Sequence, residues 1–171
     1  LIGGMNLYKT YSDNKQIIAA EQEVLVKDAI NKVRDHIKEK VSMLAAVIYV
    51  SDVINVTNDN REQEIILARA LAQNEDVSQI VLLDSKGKEI GRQSRLETRN
   101  LGQITDERKK EIFKNEKTKE TYISKLYIDE NVNEPVVIIS IISRDRFGDF
   151  NGMMLAELSM KSMWELISSM K

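Results

Sequence analysis

The first third of the chain strongly constrains the fold, because it reads as one long helix. Between Tyr8 and Ser51 there is neither proline nor glycine. Apolar residues recur there every three or four positions, which keeps them on one helix face: Val26, Ile30, Val33, Ile37, Val41, Leu44 and Ile48. At about 1.5 Å per residue such a helix is roughly 65 Å long, more than the width of a small domain. We therefore expect its N-terminal half to fray, to meet a second copy of the chain, or to form a stalk towards a membrane.

A second helix and a β-hairpin follow. Residues 61–73 have a broad apolar side, and Asn74 is a plausible stop. Residues 80–84, IVLLD, form an apolar run that meets the polar segment SKGK and then an alternating segment. Gly87 can take the positive φ that such a turn requires. This pattern predicts a hairpin across residues 77–96.

The rest of the chain predicts a short helix, three strands and a terminal helix. Thr105 is placed to cap the short helix within the polar segment 101–119. Residues 120–129 alternate, residues 134–143 form a Pro-led apolar strand, and 153–160 form a last strand before a helix at 161–171. Neighbouring hairpins favour an α+β fold with a five-stranded antiparallel sheet and helices packed against it.

Composition excludes several classes. A chain of 171 residues fits one domain, and a net charge of -2 leaves no basic stripe for nucleic acid. There is no cysteine, so disulfides and thiolate metal sites are excluded. No run of about 18 apolar residues exists, so this sequence does not itself span a membrane.

Several short motifs occur in a specific order along the chain. They are Asp84, Gly87 and Glu89 in the hairpin; Tyr122, Ile123, Ser124 and Tyr127; Pro135; Gly152; and Met163 with Trp164. In this order and spacing they resemble the membrane-distal module of double-Cache sensor domains, which have a PAS-like fold. The resemblance covers about residues 20–171.

This resemblance implies a PAS-like five-stranded sheet with the long N-terminal helix packed across it. It implies a stalk and dimer contact at 1–55, a sensor core at 56–160, and a helix at 161–171 that leads to a further module or a membrane. The chain is then a fragment: the extracytoplasmic sensor domain of a membrane-tethered signalling protein, a histidine kinase in the first instance. The alternatives are a chemoreceptor or a diguanylate cyclase, or a transmitting and dimerisation module of the same fold that binds no ligand.

Catalysis by this chain is not expected. The only histidine, His36, lies in the long helix and has no second histidine or cysteine to work with. A metal site or a nucleophile–base relay needs convergent partners. We therefore predict no enzyme activity, no cofactor and no metal, with His36 satisfied locally or facing solvent.

Candidate ligand-binding residues are polar groups that interrupt apolar strands, because a buried polar atom must find a partner. In PAS-like domains the sheet face beneath the segment between strands two and three holds small molecules. The candidates are Arg92, Arg95, Tyr122, Ser124, Tyr127, Ser140 and Glu157. The alternative is that the charged ones face solvent or pair with each other and the serines bond locally.

The arginines suggest a carboxylate or another small anionic metabolite, because a guanidinium grips such groups with two parallel bonds. The amino-acid-binding subgroup of the resembled family has an Arg-x-Trp-Tyr cluster in the segment between strands two and three, which forms the roof of the site. It also has a tyrosine on the third strand and an acidic residue on the fifth. Tyr127 and Glu157 fall near the last two positions. The roof has no Arg-x-Trp-Tyr, so the resemblance does not extend to an amino-acid ligand.

Overall fold

The computed structural model describes residues 2–55, 60–95, 104–129 and 133–169, with side chains from residue 21 onward except that of residue 22. The described elements are α1 (Ile2–Ser51), α2 (Asn60–Gln73), β1 (Val77–Asp84), β2 (Glu89–Ser94), α3 (Asp106–Glu116), β3 (Thr121–Ile123), β4 (Tyr127–Asp129), β5 (Glu134–Arg144), β6 (Phe150–Ser159) and α4 (Lys161–Ser169). The N-cap predicted for the short helix is confirmed, since the side chain of Thr105 accepts from the amide of Arg108.

The strands form one antiparallel sheet in the order β2-β1-β6-β5-β3, with β4 also pairing with β5. The two longest strands, β5 and β6, lie at its centre, where both sheet faces are covered. That position explains why their sequences are almost continuously apolar. The predicted α+β, PAS-like fold is confirmed.

One predicted strand is divided in the structure. Residues 120–129 form β3 and β4, which both pair with β5. Ile123 pairs with Ile139 and Tyr127 pairs with Val136. Three residues on one strand therefore face two on the other, which is a β-bulge. The sheet accordingly has six described strands rather than the predicted five.

One face of the sheet is covered by α1 and α2. Leu44 and Ile48 of α1 and Leu67 of α2 are at most 2% exposed and pack on the sheet. The apolar stripe predicted on α1 thus divides in two. Its C-terminal part is core, whereas Val26 is 58% and Ile30 is 51% exposed.

The opposite face is covered by α3. Ile112 of this helix is buried against a smaller core that includes Val81, Leu83 and Leu155. The ring of Phe113 meets that of Phe150 edge-on, with 5.8 Å between their centroids. These contacts hold α3, which we call the roof helix, over the centre of the sheet.

A polar contact joins the long helix to the last helix. Nε2 of His36 on α1 lies 3.2 Å from Oδ2 of Asp76. The hydroxyl of Ser162 on α4 donates to Oδ1 of the same carboxyl at 3.2 Å. The approach of His36 to Asp76 lacks hydrogen-bond geometry, so the buried Nε2 of His36 has no hydrogen-bond partner among the described residues, and the expectation that His36 is satisfied locally is not confirmed. No described helix is long and apolar enough to cross a membrane.

Candidate functional site

A cluster of polar side chains interrupts the apolar sheet face beneath α3. Alternation along the strands turns Gln79 of β1, Ser140 of β5 and Glu157 of β6 towards this side. All three are at most 3% exposed. Polar groups removed from water at this depth require partners.

Glu157 is the centre of this cluster. Its Oε1 accepts from the hydroxyl of Ser78 at 3.0 Å. Its Oε2 accepts from Nε2 of Gln79 at 3.2 Å and from the phenol of Tyr127 at 3.3 Å. Three neutral donors therefore hold one carboxyl group.

The environment of Glu157 raises its pKa but leaves the carboxyl group mostly ionised at neutral pH. Burial, and secondarily the nearby carboxyl of Asp129, raise the pKa of Glu157 to about 6, although the three hydrogen bonds act in the opposite direction. Burial and the same Glu157 carboxyl raise the pKa of the Tyr127 phenol far above its ordinary value. Tyr127 consequently stays a proton donor at every physiological pH.

Arg92 is bound entirely by protein groups. Its NH1 donates to Oε1 of Gln79 at 3.0 Å, and its NH2 lies 2.7 Å from Oε1 of Glu89. Although burial acts to raise it, the bonds from Arg92 and Lys109 hold the pKa of Glu89 below its ordinary value. Arg92 thus ties β2 to the network behind Tyr127 and to the roof, where it reaches the carbonyl of Ile104 at 3.4 Å.

The β-bulge decides which way the two tyrosines point. Tyr122 and Tyr127 are five positions apart, so in a regular strand they would lie on opposite faces. The extra residue at the bulge restores them to one face, opposite Ser140 and Val136 respectively. Both rings consequently face the underside of α3.

Ser124 stabilises the bulge. Its hydroxyl accepts from the amide of Ile138 at 2.8 Å, and its own amide donates to the carbonyl of Ile138 at 2.8 Å. The side chain thus replaces the backbone acceptor that the bulge displaces from this position.

A cavity of about 370 Å³ opens between α3 and the strands β3 and β4. We call it the roof cavity. It is lined by Arg108, Glu111, Ile112, Asn115, Glu116, Tyr122, Ser124, Lys125, Leu126 and Tyr127. Its volume is within the range of about 300–1,000 Å³ typical of small-molecule sites.

Arg108 of α3 reaches across this cavity to the sheet. The Cζ atom of its guanidinium lies 3.8 Å from the centroid of the Tyr127 ring. This is close for a cation–π contact, which extends to about 6 Å. This cation–π contact therefore joins α3 to the sheet.

The structure brings most of the predicted site residues together. Tyr122, Ser124 and Tyr127 line the roof cavity, and Glu157 and Arg92 stand behind Tyr127. Ser140 is completely buried beside Tyr122, and its hydroxyl has no partner in the described structure.

Arg95 is placed differently. Its guanidinium donates to the carbonyls of Leu71 and Asn74 at the end of α2 and of Val77 at the start of β1. It lines a second cavity of about 410 Å³, beside Asp76, Ser162 and other residues near α4. Since Arg92 and Arg95 both bind protein acceptors, the structure does not support a ligand carboxylate clamped between them.

Three residues of the site were missed by the sequence analysis. Gln79 interrupts an apolar strand as Glu157 does, so the same signal would have found it. Asp129 is buried at the end of an alternating segment, and the alternation is only a weak indication of that burial. Arg108 lies in a polar helix among other charged residues, and no sequence pattern singles it out.

Solved structures share this fold. The ligand-binding domain of the Campylobacter jejuni chemoreceptor Tlp3 in complex with L-valine has a TM-score of 0.62 and 16% identity, over 84% of this chain and 60% of that one. The sensory domain of Tlp3 with isoleucine bound has a TM-score of 0.61 and 15% identity over the same shares. The ligand-binding domain of the Pseudomonas aeruginosa PAO1 amino acid chemoreceptor PctC, in complex with GABA, has a TM-score of 0.60 and 10% identity, over 79% of this chain and 57% of that one.

The chain spans less than two thirds of the length of these structures. No family model and no curated protein matches the sequence. At these identities the likeness concerns the fold. This chain has the fold of chemoreceptor sensor domains, and the resemblance to Cache-type domains that its sequence motifs suggested is confirmed at that level.

Proposed function

We propose that this chain is the extracytoplasmic sensor domain of a transmembrane signalling protein, and that it binds a small molecule in the roof cavity. The observation that carries this proposal is the position of Tyr127. Its ring lines the cavity while its phenol donates to the buried Glu157, so the cavity wall is connected to a carboxyl group. An aromatic face backed by negative charge recognises a cation or an amino group.

The fold neighbours support a ligand of this kind. L-valine, isoleucine and GABA, bound in the Tlp3 and PctC structures, each carry an ammonium group. We infer that an ammonium or a related cation is the group recognised at Tyr127. The remaining shape of the ligand is set by Leu126, Ile112 and Asn115 around it.

A ligand can signal only by binding two conformations with different affinity. The roof helix α3 contacts the cavity directly, whereas α1 and α4 lie on or beside the sheet and meet at Asp76. We propose that movement of α3 over the sheet alters this junction by an ångström or two, the size of helix shifts at bistable interfaces.

We further propose a parallel homodimer along α1, through the exposed apolar residues Val24, Leu25, Val26 and Ile30. The apolar stripe there continues from the buried part of the same helix and is left uncovered by a single chain. The parent protein is a membrane-tethered receptor, either a histidine kinase or a chemoreceptor, and this domain contributes no catalysis. The position of the single histidine supports that last point, because His36 lies beside Asp76 on the face opposite the roof cavity, away from the proposed ligand site.

Thermal unfolding with a panel of L-amino acids, primary amines and dicarboxylates tests ligand binding. A ligand at 100 times its Kd stabilises by about 2.7 kcal/mol, which raises the Tm of a domain of this size by roughly 5–10 °C. Tyr127→Ala should abolish this shift. Tyr49→Ala is the matched control, because Tyr49 lies on α1, bonds to the carbonyl of Ile142, and is not part of the cavity lining.

The second candidate function is a transmitting module that binds no small molecule. One observation favours it: Arg108 already covers the aromatic face that a ligand would use. If no compound of the panel shifts the Tm of the unmodified domain, this candidate replaces the first.

A further inference from the structure

Arg108 is held in the roof cavity mainly by an aromatic ring. It is the third residue of α3, near the positive end of the helix dipole, where a cation is disfavoured. Among the described residues no carboxylate forms an ion pair with it, in contrast to Lys109, which contacts both Glu89 and Asp106. The contact with Tyr127 is what remains to fix its side chain.

The position that Arg108 occupies over the Tyr127 ring also suits a ligand cation. The phenol of Tyr127 donates to Glu157, and Asp129 lies two residues further along β4; these two residues are 3% and 6% exposed. The nearest arginine on the sheet, Arg92, is engaged by Glu89 and Gln79. On the cavity side of the Tyr127 ring, the guanidinium of Arg108 is therefore the cation that faces these carboxyl groups.

Resting on the proposed function, we propose that Arg108 is an internal competitor for the ligand. The roof cavity takes a small organic cation, a guanidinium or a primary ammonium, which replaces Arg108 on the Tyr127 ring. The displaced side chain belongs to α3 and the ring to β4, so the exchange removes one of the contacts that join the roof helix to the sheet, while those of Ile112 and Phe113 remain. The backbone cap of α3 at Thr105 is not part of this contact and can persist.

Titration calorimetry with agmatine tests this inference, because agmatine carries a guanidinium and an ammonium but no carboxylate. Removing the competitor in Arg108→Ala should tighten agmatine binding about tenfold, the size of a partly desolvated cation–π contact. Arg108→Lys keeps the charge without the planar group, so its affinity for agmatine should lie between those of Arg108→Ala and the wild type. Lys110→Ala is the matched control, since it removes the same charge from an exposed position of α3 outside the cavity lining, and it should change the affinity by less than about twofold.

Proton NMR of the unmodified domain gives a second readout that does not depend on a variant folding. The ring current of Tyr127 should shift the Arg108 Hδ signals upfield in the free protein. Saturating agmatine should return them to ordinary values.

The possible outcomes separate the two proposals. If Arg108→Ala weakens agmatine binding, or if the Hδ signals stay shifted in the complex, Arg108 is not displaced and the inference is wrong, while ligand binding itself stands. If agmatine binds neither protein but another panel compound stabilises the wild type, the inference alone is overturned. If nothing binds either protein, both proposals fall.

Discussion

Glu157 is buried and receives hydrogen bonds from Ser78, Gln79 and Tyr127, all neutral donors, and this fixes how it responds to pH. Burial raises its pKa from 4.5 to about 6. The folded state therefore holds the Glu157 proton more tightly than the unfolded state does. Stability falls as the pH rises from about 4.5 to about 6 and is level above that range.

The pH prediction is a difference between two proteins. Glu157→Gln has no proton to lose at this position, so its free energy of unfolding relative to the wild type should increase by about 2 kcal/mol between pH 4 and pH 7.5. Urea unfolding at several pH values measures this difference. Groups with lowered pKa, such as Glu89, titrate in both proteins and cancel. Parallel pH profiles of the two proteins would refute the assignment.

The sequence could predict the buried polar residues of the site but not the arginine contacts. Ser140 and Glu157 interrupt apolar strands, and a polar atom at such a position must face a partner or a cavity. Arginine side chains are long enough to reach several partners. Arg92 lies in the edge strand β2 and Arg95 directly after it. Nevertheless, Arg92 bonds to Gln79 in the site, whereas Arg95 bonds to carbonyl groups at the end of α2. Only the three-dimensional positions of the acceptors distinguish them.

At the scale of elements, the β-bulge between β3 and β4 is the device that shapes the cavity. It turns Tyr127 to the same side as Tyr122, and it depends on Ser124 to satisfy the amide of Ile138. Ile138 is fully buried. The amide of Ile138 is therefore removed from bulk solvent in the folded chain.

Ser124→Ala should cost about 1–3 kcal/mol of unfolding free energy, the penalty of a buried amide left without an acceptor. Urea unfolding provides the measurement. Ser85→Ala at the exposed tip of the β1–β2 hairpin is the control, and it should change stability by no more than about 0.5 kcal/mol. Equal stabilities for the two variants would mean that Ser124 does not support the bulge.

The element order was predictable because hydrophobic periodicity and turn residues agree with one another along most of the chain. Residues 136–142 are apolar apart from Ser140, and Gly87 takes the φ of 84° that its turn requires. The division of residues 120–129 was not predictable. Alternation in that segment looks regular. The bulge is defined by the pairing with β5, which has one residue fewer than this segment between the two paired positions.

At the scale of the whole molecule, the long helix has two parts with different surroundings. From Val33 onward its apolar residues pack against the sheet. Before that point Val24, Leu25, Val26 and Ile30 are each more than 40% exposed. Helices in proteins are stabilised mainly by packing of an amphipathic face, so the exposed apolar residues of α1 call for a partner. If both copies leave the same membrane, their helices run parallel.

A parallel pair brings each residue of the stripe close to the same residue of the second copy. The chain contains no cysteine, so one introduced cysteine reports on its own position. Val26→Cys should form a disulfide-linked dimer under mild oxidation, because the two Cα atoms must approach within about 7 Å. Asp28→Cys, two positions along and on the opposite side of the helix, is the control and should stay monomeric on a non-reducing gel. Efficient cross-linking through residue 28, or none through residue 26 even when the domain is tethered to a membrane at high effective concentration, would exclude this parallel arrangement.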